Sequence, residues 1–256
     1  MDGLILAAGF GSRLREIAAS KPLARVNGVS LLELSLRQLA SAGVNRAVVV
    51  TGYQADAVEA AVTELRERLD VEILTTRVDD WEKPNGYSVV AGASHLPGEY
   101  LLVMCDHLLS TPILRGLANS GSPTRDVTLA IDRQVVSPLI DPDDATWVKM
   151  HDDGFIESIG KEISQYDAVD CGAFLAGPGL ARAILAAIAE GKSGSLSDGM
   201  QWLADRGRAA TLDIGALEGG QAWWMDVDDP KAHALAEAQL AGSFALLDGR
   251  GEVAPA

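Results

Sequence analysis

Two glycines, an arginine and a lysine near the start of the chain are spaced to hold an anion. The apolar run Leu4-Ile5-Leu6-Ala7-Ala8 reads as a buried strand. It breaks at Gly9-Phe10-Gly11 into a turn whose backbone N–H groups can close round an anion without interference from Cβ atoms. Ser12, Arg13 and Lys21 follow, so phosphate handling is the chemistry expected. Two other glycine motifs are excluded: the Gly-Lys-Ser/Thr ending of a Walker loop is absent, and the third glycine of a dinucleotide fingerprint is missing. Far downstream, Asp106 closes the apolar run Leu102-Val103-Met104-Cys105, and Asp226 stands in Trp223-Trp224-Met225-Asp226-Val227. Two strand-end carboxylates can therefore converge. Asp228 and Asp229 precede a helix and are read as its caps.

The bulk composition sets the class of partner. The chain has 256 residues, 48% of them hydrophobic and 22% charged, which suits a single globular domain with a sizeable core. Lys and Arg number 21 against 36 Asp and Glu, a net charge of −15, which disfavours nucleic acid and anionic membrane surfaces. Against that background Arg13, Arg15, Lys21 and Arg25 form a local basic patch near Gly9, with only Asp2 and Glu16 as nearby acids. The patch suits a small anionic ligand. Cys105 and Cys171 lie in apolar strand-like runs and read as reduced, buried thiols. Met1-Asp2-Gly3 leads directly into the first strand with no signal peptide, and no apolar run approaches the ~18 residues of a membrane span. A cytoplasmic setting is the expectation.

The elements that must position these residues alternate. After the opening strand, Ser30-Leu31-Leu32-Glu33 reads as a capping box for a helix ending at Gly43. Strand 47–51, helix 55–69, strand 71–75, helix 87–96 and strand 101–105 follow, implying right-handed crossovers and a mostly parallel sheet with helices on both faces. Gly9, Gly11, Arg13, Gly86 and Asp106 would all fall beyond the carboxyl ends of the strands, where ligands gather. Thr111 caps a further helix, with Pro112 at its first position. Beyond strand 127–133 the rhythm changes, and segments 147–150 and 155–159 flank Asp152-Asp153-Gly154 as a hairpin projecting from the main sheet. Strand 170–176, helix 179–190, the loop 191–195, helix 196–206, strands 209–214 and 222–227 and helix 229–240 complete the fold. The reading is one Rossmann-like α/β domain, residues 1–242, with a C-terminal tail, 243–256.

The run Leu6-Ala7-Ala8-Gly9-Phe10-Gly11-Ser12-Arg13-Leu14 with Lys21-Pro22 resembles the signature of nucleotidyltransferases that make activated sugars and alcohols. Pro84-Asn85-Gly86-Tyr87-Ser88 resembles their nucleobase loop. Lys161 and the segment Tyr166 to Phe174 most resemble CTP:inositol-1-phosphate cytidylyltransferases. Met104-Cys105-Asp106-His107 departs from the Gly-Asp-His of relatives in its cysteine, which leaves the acid in place.

The resemblance implies that Leu6, Ala7, Ala8, Gly9, Gly11, Ser12, Asn85 and Gly86 meet the nucleotide. It makes Arg13 and Lys21 the catalytic cations, Asp106 and Asp226 the ligands of Mg²⁺, and Lys161, Asp170 and Gly172 the acceptor side. The implied substrates are CTP and inositol 1-phosphate. A phosphate ester with a second pKa of about 6 is ionised near neutrality and can attack the α-phosphorus without a general base. Some inositol enzymes of this type are fused to a membrane transferase, so a separate membrane partner using the product is a further expectation. The alternatives are phosphocholine or a sugar 1-phosphate as acceptor, or a catalytically silent nucleotide-binding module. An aromatic content of 5% leans against a choline cage, and the retained Arg13, Lys21, Asp106 and Asp226 argue against silence.

Overall fold

A computed structural model describes residues 1–137, 140–217 and 222–241. The tail read at 243–256 lies outside these residues, as does the proposed domain limit at 242. The chain opens with β1 (Asp2–Ala7), two short 3₁₀ turns, and the small ribbon β2 (Arg25–Val26) and β3 (Val29–Ser30). It continues through α1 (Leu31–Ser41), β4 (Arg46–Thr51), α2 (Ala55–Arg66), β5 (Glu72–Arg77), α3 (Gly86–Ala93) and β6 (Tyr100–Met104). Then come β7 (His107–Leu109), α4 (Thr111–Ala118), β8 (Val127–Asp132), β9 (Trp147–Met150), β10 (Ile156–Gly160) and β11 (Ala168–Ala176). The last elements are α5 (Pro178–Ala189), α6 (Leu196–Ala204), β12 (Ala209–Asp213), β13 (Trp224–Asp226) and α7 (Pro230–Gln239).

Among the described residues a nine-stranded mixed sheet runs β10-β9-β11-β6-β1-β4-β5, with β8 pairing β11 and β12 parallel to β8. The β6-β1-β4-β5 half is parallel, and β11 is antiparallel to β6. Because side chains alternate across a strand, β1 sends Leu4 and Leu6 to one face and Ile5 and Ala7 to the other. The first face is covered by Val89 of α3, Leu180 and Ile184 of α5 and Met200 of α6. The second is covered by Leu36 of α1, Val62 of α2 and Leu114 of α4. The hairpin read at Asp152-Asp153-Gly154 continues the main sheet at its edge, where Ala168 and Val169 of β11 meet Val148 and Trp147. Both cysteines are buried and unbridged. No helix among the described residues is long and apolar enough to cross a membrane.

Local chemistry adjusts several boundaries. Ser30 caps α1 by accepting from the Glu33 N–H, but the Glu33 carboxylate receives Arg37 and Arg68 instead of closing the box. The reciprocal box occurs at Ser195 and Asp198 on α6, where a plain loop was expected. α4 starts one residue earlier than expected: Ser110 holds the cap position and Thr111 is already helical. The Ser110 hydroxyl accepts from the Trp223 N–H and so ties the helix start to the strand carrying Asp226.

Gly86 has a packing reason. A Cβ there would lie 2.2 Å from the carbonyl oxygen of Gly194, so α3 and the turn before α6 meet only because neither residue has a side chain. Gly86→Ala is therefore expected to cost about 1–3 kcal/mol and to lower the thermal midpoint by about 2–4 °C for each of those kcal/mol. A melting curve matching the parent would contradict this packing account.

Candidate active site

The strand ends at the middle of the sheet deliver the acids and cations to one cleft. β1 lies between β4 and β6, so the chain reverses its direction of travel across the sheet beside β1, and a crevice opens beyond the carboxyl ends of β1 and β6. Leu6, Ala7, Ala8, Gly9, Gly11, Lys21, Trp81, Asn85, Ser88, Met104 and Asp106 line a cavity there. Gly11 has φ +59°, and a Cβ on it would come within 2.5 Å of the Lys21 Cβ; the turn thus needs glycine both for its backbone and to seat the lysine. Gly9 has open space where a Cβ would go. Ser12 stands exposed in the 3₁₀ turn Ser12–Leu14.

Asp106 follows β6, and the next residues form β7, which pairs antiparallel with β13 so that His107 faces Asp226 in register. The Val227 N–H also donates to the Asp106 carbonyl at 2.9 Å. This short ribbon brings together the two acids expected to converge. The Lys21 ammonium bridges Asp106 and Asp228. Arg13 pairs with Asp228 at 2.7 Å and Asp141 at 3.0 Å, and with Asp144.

Asp228 corrects the sequence reading: it holds both cations, while Asp229 alone caps α7 by accepting from the Ala232 N–H at 2.7 Å. Its place two residues after Asp226 was the available signal, since alternate residues of an extended segment share a face. Asp141 and Asp144 were also missed. They come from the β8–β9 connection, which no periodicity marks.

A second cavity adjoins the first, with Asn85 and Met104 lining both. Lys161, Asp170, Gly172, Asp144, His107, Trp224 and Asp226 line it, so the three residues expected on the acceptor side share one wall system with an expected metal ligand. Lys161 pairs with Asp144. β11 bulges between Asp170 and Phe174, a device common beside functional sites. Gly172 there takes φ +72° and donates its N–H to Asp170 Oδ1 at 2.7 Å. Asn85 uses its amide oxygen to accept from the Leu196 N–H at 2.8 Å, which fastens the start of α3 to α6. Gly86 is buried, and a Cβ on it would meet the Gly194 carbonyl oxygen.

Charge in the cleft is distributed unevenly. Burial pushes Asp106 upward, but Lys21 and His107 overcome it and hold the carboxyl far below its usual range. Asp226 goes the other way. Burial and the like charge of Asp106 raise it against the pull of His107 and Lys21, and its carboxylate has no hydrogen bond or salt bridge among the described residues. Burial of the Cys105 thiol pushes it up to about 12, so it is an inert wall residue.

No group of three or more His, Cys, Asp or Glu among the described residues forms a self-sufficient metal centre. Two hard carboxylate oxygens, one set ionised and one lacking a cation, instead fit an ion such as Mg²⁺ that shares its coordination with phosphate oxygens and water.

Residues 3–150 match the family model described as the MobA-like NTP transferase domain. The chain is 35% identical over 241 residues to a protein of Rubrobacter xylanophilus named bifunctional IPC transferase and DIPP synthase, covering 93% of this chain and 51% of that one. It is 29% identical over 231 residues to a protein of the same name from Aquifex aeolicus, covering 89% and 49%. The chain thus spans about half the length of these curated relatives. The fold superposes on the inositol-1-phosphate CTP transferase from T. maritima with a TM-score of 0.76 at 25% identity, covering 100% of this chain and 98% of that one.

Asp170 gives a stability test of this geometry. Burial pushes its carboxyl up to about 6, partly opposed by the Gly172 N–H and His107. A carboxyl whose pKa rises on folding binds its proton more tightly in the folded state, so ionising it destabilises the fold as pH climbs from about 4 through 6. Asp170→Asn, which keeps an acceptor for the Gly172 N–H, is expected to be more stable than the parent at pH 7.5 by up to about 3 kcal/mol. The two should converge near pH 4. Urea melts at the two pH values check this, and a gain independent of pH would contradict it.

Proposed function

Because this chain belongs to the MobA-like NTP transferase family, we propose that it transfers CMP from CTP to inositol 1-phosphate, giving CDP-inositol and pyrophosphate. The observation that carries this reading is the pair of adjoining cavities, with Lys21 and Asp106 in one and Lys161 and Asp170 in the other. The names of the relatives and of the T. maritima enzyme support the same substrates.

In this reading the glycine turn receives the triphosphate, and the site changes partners as substrate enters. Lys21 leaves Asp106 for the α-phosphate and the incoming phosphate, and Arg13 leaves its carboxylates for the departing β- and γ-phosphates. Asp106 and Asp226 would hold Mg²⁺, which when bound neutralises charge on the triphosphate. Asp106 passes from Lys21 to the divalent ion as Lys21 passes to phosphate, so neither member of that buried pair is left uncompensated, which is the costly alternative.

Lys161 receives the acceptor phosphate and Asp170 accepts from a ring hydroxyl. The acceptor phosphate is already ionised near neutrality, so positioning and charge neutralisation carry the rate. The acceptor cavity offers Asp141, Asp144, Thr146, Asp170 and Ser197 beside the aromatic Trp224 and Phe174. That lining suits a polyol better than a quaternary ammonium, which favours a cage of aromatic faces.

Pyrophosphate release with five nucleoside triphosphates against inositol 1-phosphate, phosphocholine and glucose 1-phosphate, each with Mg²⁺, tests the assignment. CTP with inositol 1-phosphate should be the fastest pair, and another pair in that place would overturn the substrates. Lys21→Ala should lower kcat by about 10²–10³-fold, the scale of losing one transition-state donor, while changing CTP affinity less than tenfold. Equal losses in both would contradict a role confined to the transition state.

A further inference from the structure

We propose that His107 is a positioning residue for the transfer, dividing the two oxygens of Asp106 so that Oδ1 is committed to the protein and Oδ2 is left for a cation. The inference rests on the reading above that Asp106 shares a divalent ion with the nucleotide.

His107 Nδ1 lies 2.8 Å from Asp106 Oδ1, while Oδ2 of the same carboxylate faces the Lys21 ammonium. An ionised carboxylate only accepts, so Nδ1 carries the proton and donates. The donor is itself clamped. The imidazole stacks on Trp224 with ring centroids 6.0 Å apart and planes 13° from parallel. Trp224 is fixed in turn by its indole N–H, which donates to Asp132 Oδ2 at 3.0 Å.

On the other side Gly172 makes room for the ring, since a Cβ there would lie 2.3 Å from Cδ2 and 2.6 Å from Nε2 of His107. Register pairing of His107 with Asp226 holds the backbone. Two elements, β11 and β13, thus fix the histidine. A carboxylate released from that donor could turn both oxygens to Lys21, becoming a better ion-pair partner and a poorer ligand. Partners that orient ligating groups typically cost 10–100-fold in metal affinity or activity when lost.

The sequence isolates the motif Asp106-His107 without assigning the histidine a task; its hydrogen bond to Asp106 supplies one.

The test is binding of Mn²⁺ in the presence of CTP and the absence of acceptor, read by electron paramagnetic resonance on the full chain. His107→Phe keeps a ring against Trp224 but has no donor, and should weaken Mn²⁺·CTP binding 10–100-fold while affinity for metal-free CTP moves less than threefold. His107→Asn places an amide donor near the Nδ1 position and should restore binding to within about fivefold of the parent.

Binding by His107→Phe within threefold of the parent would overturn the inference, and so would equal weakness of the Phe and Asn variants. If the Phe variant does not fold, His107→Gln, whose amide reaches past the Nδ1 position, carries the same expectation of loss. Acceptor is left out so that the outcomes separate. A parent that binds Mn²⁺·CTP but does not use inositol 1-phosphate refutes the substrate assignment alone. A parent that binds it as well as His107→Phe does refutes this inference alone.

Discussion

The ammonium of Lys21, held between Asp106 and Asp228, is the interaction around which the cleft is arranged. All three side chains are mostly withdrawn from water, the lysine to 14% exposure and the acids to 22% and 16%. Charges in such a setting are stable only while paired. The Gly11 turn seats the lysine, since a side chain on Gly11 would occupy the space of the Lys21 Cβ. Arg13 then shares Asp228 with it, so Lys21 and Arg13 are organised by one carboxylate. On the proposed reading, phosphates replace carboxylates as partners of the lysine and arginine, and Asp106, once released by Lys21, would join Asp226 in holding the divalent ion.

The fold brings these groups together by simple means. A parallel sheet places the ends of β1 and β6 side by side, which supplies the glycine turn and Asp106. It cannot by itself supply Asp226, which lies far along the chain. That task falls to the ribbon of β7 and β13, whose register sets His107 against Asp226 and whose start is tied by Ser110 and Trp223. In the second cavity the bulge in β11 brings Asp170 and Gly172 to the wall, and the capped start of α6 adds Leu196 and Ser197.

How much of this was legible in the sequence followed from the range of each signal. The β1 turn, Lys21 and the alternating strands and helices were readable because their patterns are local: apolar runs, periodic faces and glycine turns. The convergence of Asp106 and Asp226 was readable as two strand-end acids, although β7, only three residues long, was not. Asp228 was lost to a sound local rule, that an acid before a helix caps it; the rule applied to Asp229 and failed one residue earlier. Asp141 and Asp144 stand in an irregular connection whose position depends on tertiary contacts with Arg13 and Lys161. Gly86 was legible as a glycine of the loop that opens α3, but the packing demand of the Gly194 carbonyl on a distant turn was not.

A double-mutant cycle on Lys21→Met and Asp228→Asn, read by urea denaturation without ligands, tests the central claim most directly. If the lysine and the aspartate compensate each other in the folded cleft, either single change removes the same ion pair, leaving Lys21 with Asp106 alone or Asp228 with Arg13 alone, so the two losses overlap instead of adding. The coupling should then reach about 2 kcal/mol, within the range measured for residues in one charge network. Effects that add to within about 0.5 kcal/mol, as for independent sites, would contradict the account.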